Sequence, residues 1–172
     1  MILKLWVLLR ALFSRLLNNV DDIEKEIDFL KPFSKLDYGY LTNVLKKRYI
    51  KDKLFWFIPW DWVFGPIKFF LRGGGDCSSL NYVIMLSMIA HGTRKDDLYF
   101  ITYTAKPFKL SHSTIIKVVD NLFEVWDYGR YCGRYMSVKS AIQKCGTIYG
   151  CKVVDYVAQD YKQDIIFIGS MK

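Results

Sequence analysis

Histidine is scarce in this sequence, and its cysteines are few and widely spaced. The 172 residues include two histidines and four cysteines, and no two cysteines stand at the short spacing typical of zinc ligands. We therefore expect no metal site and no bound cofactor. The cysteine count leaves a bridge between Cys145 and Cys151 open, but free thiols suit a reducing, intracellular setting. Any chemistry at a thiol must draw on one of only two imidazoles.

The chain also lacks a recognisable signal peptide and a membrane-spanning run. Its apolar N-terminal segment contains Arg10 and Arg15, which interrupt it before the roughly 20 apolar residues that a transmembrane helix needs. Residues 1–19 instead follow the pattern of an amphipathic, basic helix. Three roles stay open for this helix: packing on the domain, docking on a protein partner, or lying on a membrane surface. We expect a cytoplasmic protein, with peripheral membrane association as the alternative.

Positive charge exceeds negative charge without forming a nucleic-acid-binding pattern. The chain has 25 lysines and arginines against 17 acidic residues, giving a net charge of +8. This charge is spread along the sequence apart from a basic run at positions 46–53, which we interpret as a solvated helix face. Because no basic and aromatic strand pattern is present, nucleic acid is not the expected partner.

The order of apolar patterns predicts the α+β class. Helical periodicity is followed by alternating strand patterns, an order typical of helices set apart from an antiparallel sheet. The aromatic segment 54–64 and the prolines in and after it predict an irregular stretch leading into three glycines. At this length we expect one domain, residues 51–172, after a helical extension, residues 1–50. Helices are predicted at 21–30, 35–48, 77–91 and 137–145, and strands at 98–104, 112–119, 122–127, 152–158 and 164–168.

A cysteine at the start of a predicted helix is the most informative feature of the sequence. Asp76 is a good N-cap, so Cys77 is expected in the first turn of an apolar helix that ends near Gly92. The N–H groups and the dipole at this position favour the thiolate, which is the reactive form of cysteine. A helix that is apolar on all sides is expected to be buried. The alternative is a structural cysteine that behaves as a small hydrophobic residue.

A catalytic thiol needs a base, and the predicted hairpin register selects one. His91 lies fourteen residues along the same helix, about 21 Å from Cys77 at 1.5 Å per residue, and is excluded. His112 begins a strand instead. A two-residue turn at positions 120–121 makes Asp127 the diagonal neighbour of His112 on the same face of the sheet. We therefore predict a Cys77–His112–Asp127 triad.

These segments together resemble the transglutaminase-like cysteine peptidase core over about residues 60–130. The resemblance rests on Gly75-Asp76-Cys77 heading an apolar helix, His112 beginning a strand, and Asp127 following a Phe-Glu-Val-Trp strand. It implies a papain-like α+β fold. It also implies that Cys77 is the nucleophile, His112 the general base and Asp127 the acid that orients the imidazole.

Three serines depart from that family's pattern, and a second family shares part of it. The transglutaminase-like family often has an acidic residue after the cysteine and an aromatic residue after the histidine, where this chain has Ser78, Ser79 and Ser113. The run from Asp76 to Ser78 also resembles the NlpC/P60-like peptidoglycan peptidases. That family more often uses His, Asn or Gln as the third member, so Asp127 fits the transglutaminase-like pattern better.

The predicted activity is thiol-dependent acyl transfer on a peptide or side-chain amide, by a cysteine peptidase, an amidase or a transamidase. The expected partner is a peptide or protein substrate. The rival hypothesis is a non-catalytic interaction protein that keeps the fold and docks on a larger assembly through its basic N-terminal helix. Candidates for the oxyanion site or the cleft are Trp60, Trp62, Gly75, Asp76 and Ser78.

Overall fold

Five α-helices, two short 3-10 helices (Lys31–Lys35 and Lys95–Asp97) and six strands lie in the part of the chain that the structure, a computed structural model, describes: residues 22–50, 63, 65–107 and 110–171, with isolated positions 5, 8, 9 and 12. The helices are α1 (Ile23–Leu30), α2 (Tyr38–Lys46), α3 (Pro66–Leu71), α4 (Cys77–Ala90) and α5 (Val138–Ile148). The strands are β1 (Leu98–Lys106), β2 (His112–Val119), β3 (Leu122–Asp127), β4 (Arg130–Tyr135), β5 (Lys152–Gln159) and β6 (Ile165–Ser170). The predicted α+β class is confirmed.

All six strands form one antiparallel sheet in the order β4-β3-β2-β1-β5-β6. The turn between β2 and β3 is Asp120-Asn121, with φ values of 52° and 61°. Two successive positive φ values are typical of a type I′ turn, whose twist matches that of the flanking strands. The turn pairs Val119 with Leu122. The hairpin register predicted from the sequence is therefore confirmed.

Helices cover both faces of this sheet. Neighbouring residues of β2 point in opposite directions, so that Ile115 joins the apolar cluster around α4 while Ile116 joins the cluster around α5. The helices α1 and α2 add side chains such as Ile27 and Leu41 to the α4 cluster. The sheet consequently lies between a thick helical layer and a single helix, α5.

The central helix α4 is buried as predicted. Residues 78–89 are all buried, and the Asp76 carboxylate caps the helix by accepting the Ser79 N–H at 2.9 Å. At the other end, Gly92 has a φ of 94°, as glycine does after many helices. Cys77 is the first residue of α4. The cap, the stop and the position of the thiol all agree with the sequence prediction.

Two elements differ from the sequence prediction. The strand β4 was not predicted, because it lies at the sheet edge, has no buried residue and so shows no apolar alternation. The helix α3 replaces the irregular approach to the glycines. Pro66 is its first residue, a position where the fixed φ of proline suits a helix and no N–H is required.

The predicted N-terminal helix, residues 1–19, lies outside the described residues apart from four isolated helical positions. The aromatic segment 54–64 is also outside them, except for the buried Val63. None of the described helices has the length and apolar character needed to cross a membrane.

Candidate active site

The glycines before Cys77 bring the chain against the segment that follows α2. Gly75 accepts the Ile50 N–H at 2.8 Å and donates its own N–H to the Arg48 carbonyl at 3.3 Å. A Cβ at Gly74, where φ is +147°, would lie 1.8 Å from the Arg48 carbonyl oxygen. Only glycine fits there. The start of α4 is thus held by backbone pairing, and the half-buried Cys77 thiol is held with it.

His112 and Asp127 form a buried hydrogen-bonded pair at the ends of β2 and β3. The imidazole Nε2 lies 2.9 Å from Asp127 Oδ1, and both side chains are less than 10% exposed. Asp127 is two residues after Val125 on β3, so the two side chains point to the same face of the sheet. Val125 belongs to the α5 cluster, and the His112–Asp127 pair therefore lies on the α5 side. The diagonal contact predicted from the hairpin register is therefore present.

The electrostatics of His112 connect it to Cys77 as well as to Asp127. Burial alone would lower the pKa of this imidazole, but the Cys77 thiolate and the Asp127 carboxylate raise the pKa of His112 to about 10. A hydrogen bond between His112 and Cys77 contributes to this rise. Because Nε2 is bonded to Asp127, Nδ1 is the ring nitrogen left for the thiol. The three predicted side chains therefore act on one another.

Asn81 joins α4 to both strands of the hairpin, a role that the sequence reasoning missed. It is fully buried, and its Nδ2 donates to the Ser113 carbonyl at 2.7 Å and to Asp127 Oδ1 at 2.9 Å. Its Oδ1 accepts the Tyr128 N–H at 2.7 Å. Tyr128 has a positive φ of 50°, uncommon for a residue with a side chain. The available signal was an amide one turn after Cys77 in an otherwise apolar helix, since buried amides need partners.

Tyr149 approaches the pair from the other helical layer, just after α5. Its hydroxyl donates a hydrogen bond to Asp127 Oδ2, and its ring centroid lies 4.8 Å from that of His112. The rings of Tyr128 and Tyr103 also pack on the imidazole, at 5.2 and 5.9 Å. Three tyrosine rings therefore surround His112. No sequence pattern points to Tyr149, because only the packing of α5 on the sheet brings it to the site.

The protonation state of Asp127 depends on the three side chains that donate hydrogen bonds to it. Burial raises the pKa of this carboxyl, but His112, Tyr149 and Asn81 outweigh that effect, so that the pKa of Asp127 lies below its ordinary value. The carboxylate is therefore charged above that depressed pKa, and it protonates when the pH falls through it. Tyr149 and Asn81 are positioning residues that keep Asp127 charged and directed at His112.

Replacing Tyr149 by phenylalanine should shift the acid limit of Cys77 reactivity. Without the Tyr149 hydroxyl, the pKa of Asp127 rises. As the pH falls, the carboxylate is then protonated at a higher pH than before and no longer stabilises the imidazolium. One lost hydrogen bond to a charged group corresponds to a shift of about one pH unit. Iodoacetamide alkylation of Cys77, followed from about pH 2 to pH 8, measures the midpoint. The matched control is Tyr135→Phe, whose hydroxyl bonds the Cys132 carbonyl on β4; equal midpoints in the two variants would contradict the role given to Tyr149.

Buried hydroxyl groups replace the acidic and aromatic residues of the resembled family. Ser78 Oγ lies 2.9 Å from Ser113 Oγ, which in turn lies 3.1 Å from Thr102 Oγ1. All three side chains are buried, and they run from α4 across β2 to β1. Ser79 contributes its N–H to the Asp76 cap. Ser78 and Ser113 therefore dock helix α4 on the sheet.

The remaining site candidates fall into two groups. Gly75, Asp76 and Ser78 are buried and make the backbone pairing, cap and hydroxyl contacts already described. Trp60 and Trp62 lie outside the described residues. His91, excluded by distance, contacts the backbone carbonyls of Ser87 and Leu36 at the far end of α4.

Among the described residues, no group of three or more His, Cys, Asp or Glu side chains is placed to hold a metal ion. All four cysteines, which lie within the described ranges, are free thiols, so Cys145 and Cys151 are not bridged. Comparison of the chain with protein-family models gives no match, and comparison with curated proteins gives none either.

Proposed function

We propose that this protein is a thiol-dependent acyl-transfer enzyme of the transglutaminase-like, papain-like type, acting on a peptide or side-chain amide. One observation carries the proposal: a buried imidazole is held between the Asp127 carboxylate and the thiol at the first position of α4. An acyl-transfer triad needs this order of acid, base and nucleophile. The resemblance in the sequence gives Cys77, His112 and Asp127 the same three roles.

The first half of the reaction follows from the charges at the site. The Cys77 thiolate attacks the amide carbonyl carbon, a C–S bond forms, and the carbonyl electrons move to oxygen. This oxyanion develops at the N-terminus of α4, where backbone N–H groups and the helix dipole stabilise negative charge. When the C–N bond breaks, the leaving nitrogen takes a proton from the His112 imidazolium. The result is a thioester on Cys77 and a neutral imidazole.

The second half of the reaction regenerates the Cys77 thiolate and the His112 imidazolium. Neutral His112 takes a proton from water or from an amine, and the resulting nucleophile attacks the thioester carbon. The C–S bond breaks, leaving the Cys77 thiolate and a protonated His112. Water gives hydrolysis and an amine gives transamidation, so the same residues serve a peptidase, an amidase or a transamidase.

Selective acylation tests the proposed nucleophile against internal controls. At pH 6, p-nitrophenyl acetate should form a thioester on Cys77 and leave the other three cysteines unmodified. Burial raises the pKa of Cys132, Cys145 and Cys151, that of Cys145 to about 12, so these thiols carry little thiolate. Peptide mass spectrometry locates the acetyl group, and hydroxylamine should remove it. Equal acylation of Cys77 and Cys132, both half-buried, would contradict the proposal.

A further inference from the structure

A cavity of about 670 Å³ opens beside the triad. Asp127 and Leu80, both buried, form its inner end, and Tyr128 also lines it. Leu80 is one turn after Cys77 on α4, and positions three apart share a helix face. Burial raises the pKa of Tyr128, and the nearby Cys77 thiolate raises it further. The cavity is therefore next to the reacting thiol.

Three cations line this cavity: Lys46 from α2, Arg130 from β4 and Lys144 from α5. None of them forms an ion pair with a carboxylate among the described residues. Arg130 and Lys46 both lie near Cys132, another lining residue, and both oppose the burial that raises the pKa of this thiol. Part of the basic run therefore forms one wall of a concave site.

The only acidic side chain among the described lining residues is Asp127, and its charge is already engaged by His112, Asn81 and Tyr149. The cavity thus presents an excess of positive charge. Tyr49, Tyr131 and Ile148 add apolar and phenolic surface to its walls. A ligand that fits has a negatively charged end, for the cations, and a short apolar stem.

We propose that this cavity binds an acidic side chain of the peptide substrate, so that the enzyme prefers glutamate or aspartate near the reacting amide. The proposal rests on the proposed function and names its substrate class. A glutamate side chain carries a carboxylate on a two-carbon stem, which matches cations set among tyrosine and isoleucine side chains. A nucleic acid would instead need a row of cations along its phosphates, and these three surround one cavity.

The test uses two electrophilic peptides and the whole protein. One N-chloroacetyl tetrapeptide contains two glutamates, and its partner contains two glutamines at the same positions. The thiolate displaces chloride in both, and peptide mass spectrometry gives both rates on Cys77. The ratio of the two rates reports the preference for acidic residues. The proposed function would be overturned if iodoacetamide alkylated Cys77 in His112→Ala as fast as it does in the unchanged protein, whereas the ratio of the two peptide rates tests the cavity alone.

We expect the glutamate peptide to react about tenfold faster at 50 mM salt. At 1 M salt, where the Debye length is about 3 Å, the ratio should approach one. The double variant Arg130→Gln/Lys144→Gln should lose the preference, while the control Lys152→Gln/Lys162→Gln, at exposed positions away from the lining, should keep it. A ratio near one in the unchanged protein, or a ratio retained in Arg130→Gln/Lys144→Gln, overturns the proposal. Stronger competition by a single-stranded oligonucleotide than by free glutamate peptide also overturns it.

Discussion

His112→Ala should slow the alkylation of Cys77 at pH 6 by about 100-fold. An ordinary thiol with a pKa near 8.5 is only about 0.3% thiolate at pH 6, whereas a thiolate paired with an imidazolium persists there. Because the thiolate and the Asp127 carboxylate raise the pKa of His112 to about 10 against the effect of burial, the imidazolium should be present from acid pH up to that value. The rate in the unchanged protein should therefore be nearly flat between pH 6 and pH 9.

The control for this variant is the other histidine. His91→Ala removes an imidazole at the far end of α4, where it contacts the backbone carbonyls of Ser87 and Leu36 and the ring of Tyr38, so it should leave the pH profile unaltered. Peptide mass spectrometry after iodoacetamide treatment reads Cys77 separately from the other thiols. If His112→Ala keeps the rapid reaction at pH 6, the thiolate is not stabilised by this imidazole, and the rival hypothesis of a non-catalytic interaction protein gains.

Turnover should show a second limit at high pH. In the folded protein the pKa of His112 is raised above its unfolded value. The imidazole is therefore fully protonated at any pH below the unfolded pKa, and it loses its proton as the pH rises through about 10. Neutral His112 cannot protonate the leaving amine, so the rate of amide cleavage should fall above about pH 10. Alkylation, which needs only the thiolate, should not fall there. The divergence of the two profiles separates the acid role of His112 from its role in stabilising the thiolate.

Asn81→Ala should destabilise the fold by about 3 kcal/mol. The change leaves the Ser113 carbonyl and the Tyr128 N–H without the partner that joins them to α4, and each buried unsatisfied group costs about 1–3 kcal/mol. Asp127 also loses a donor. For a domain of this size, 3 kcal/mol corresponds to a fall in melting temperature of about 6–12 °C. Urea unfolding, followed by tryptophan fluorescence, measures the free energy directly.

Ser87→Ala is the matched control for Asn81→Ala. Ser87 is equally buried on the same helix, but its hydroxyl bonds the Val83 carbonyl within α4 and joins no second element. Its removal should cost less than about 1 kcal/mol, because that carbonyl keeps a helical partner. Equal losses in the two variants would mean that Asn81 does not hold the helix and the hairpin together.

The sequence predicted the parts of the site that depend on local patterns. A capping aspartate and a terminal glycine define α4, and a two-residue turn defines the register that brings His112 and Asp127 together. These features depend on the backbone over a few residues, which is why turn and cap preferences suffice to predict them. The α+β class followed from the order of the periodicities. The transglutaminase-like assignment and the two-part domain division stay predictions.

The parts that sequence reasoning missed depend on contacts between layers. Tyr149 contacts Asp127 only because α5 packs on the sheet face opposite α4, and no periodicity encodes that placement. The strand β4 lies at an edge, where exposure on both faces removes the alternating pattern. Pro66 begins a helix where the sequence alone suggested a break, because proline favours both situations.

The bridge that Asn81 makes has a consequence for the newly made chain. The thiol, the imidazole and the carboxylate come from three separate elements, and the amide that joins them reaches from α4 to residues 32 and 46 positions away in sequence. Contacts of that range form only as the helix and the hairpin dock. Until then, Cys77 is an ordinary thiol among four. The proposed reactive thiolate would therefore arise only when the fold is complete, and in a partly folded or locally opened molecule Cys77 would react no faster than an ordinary thiol.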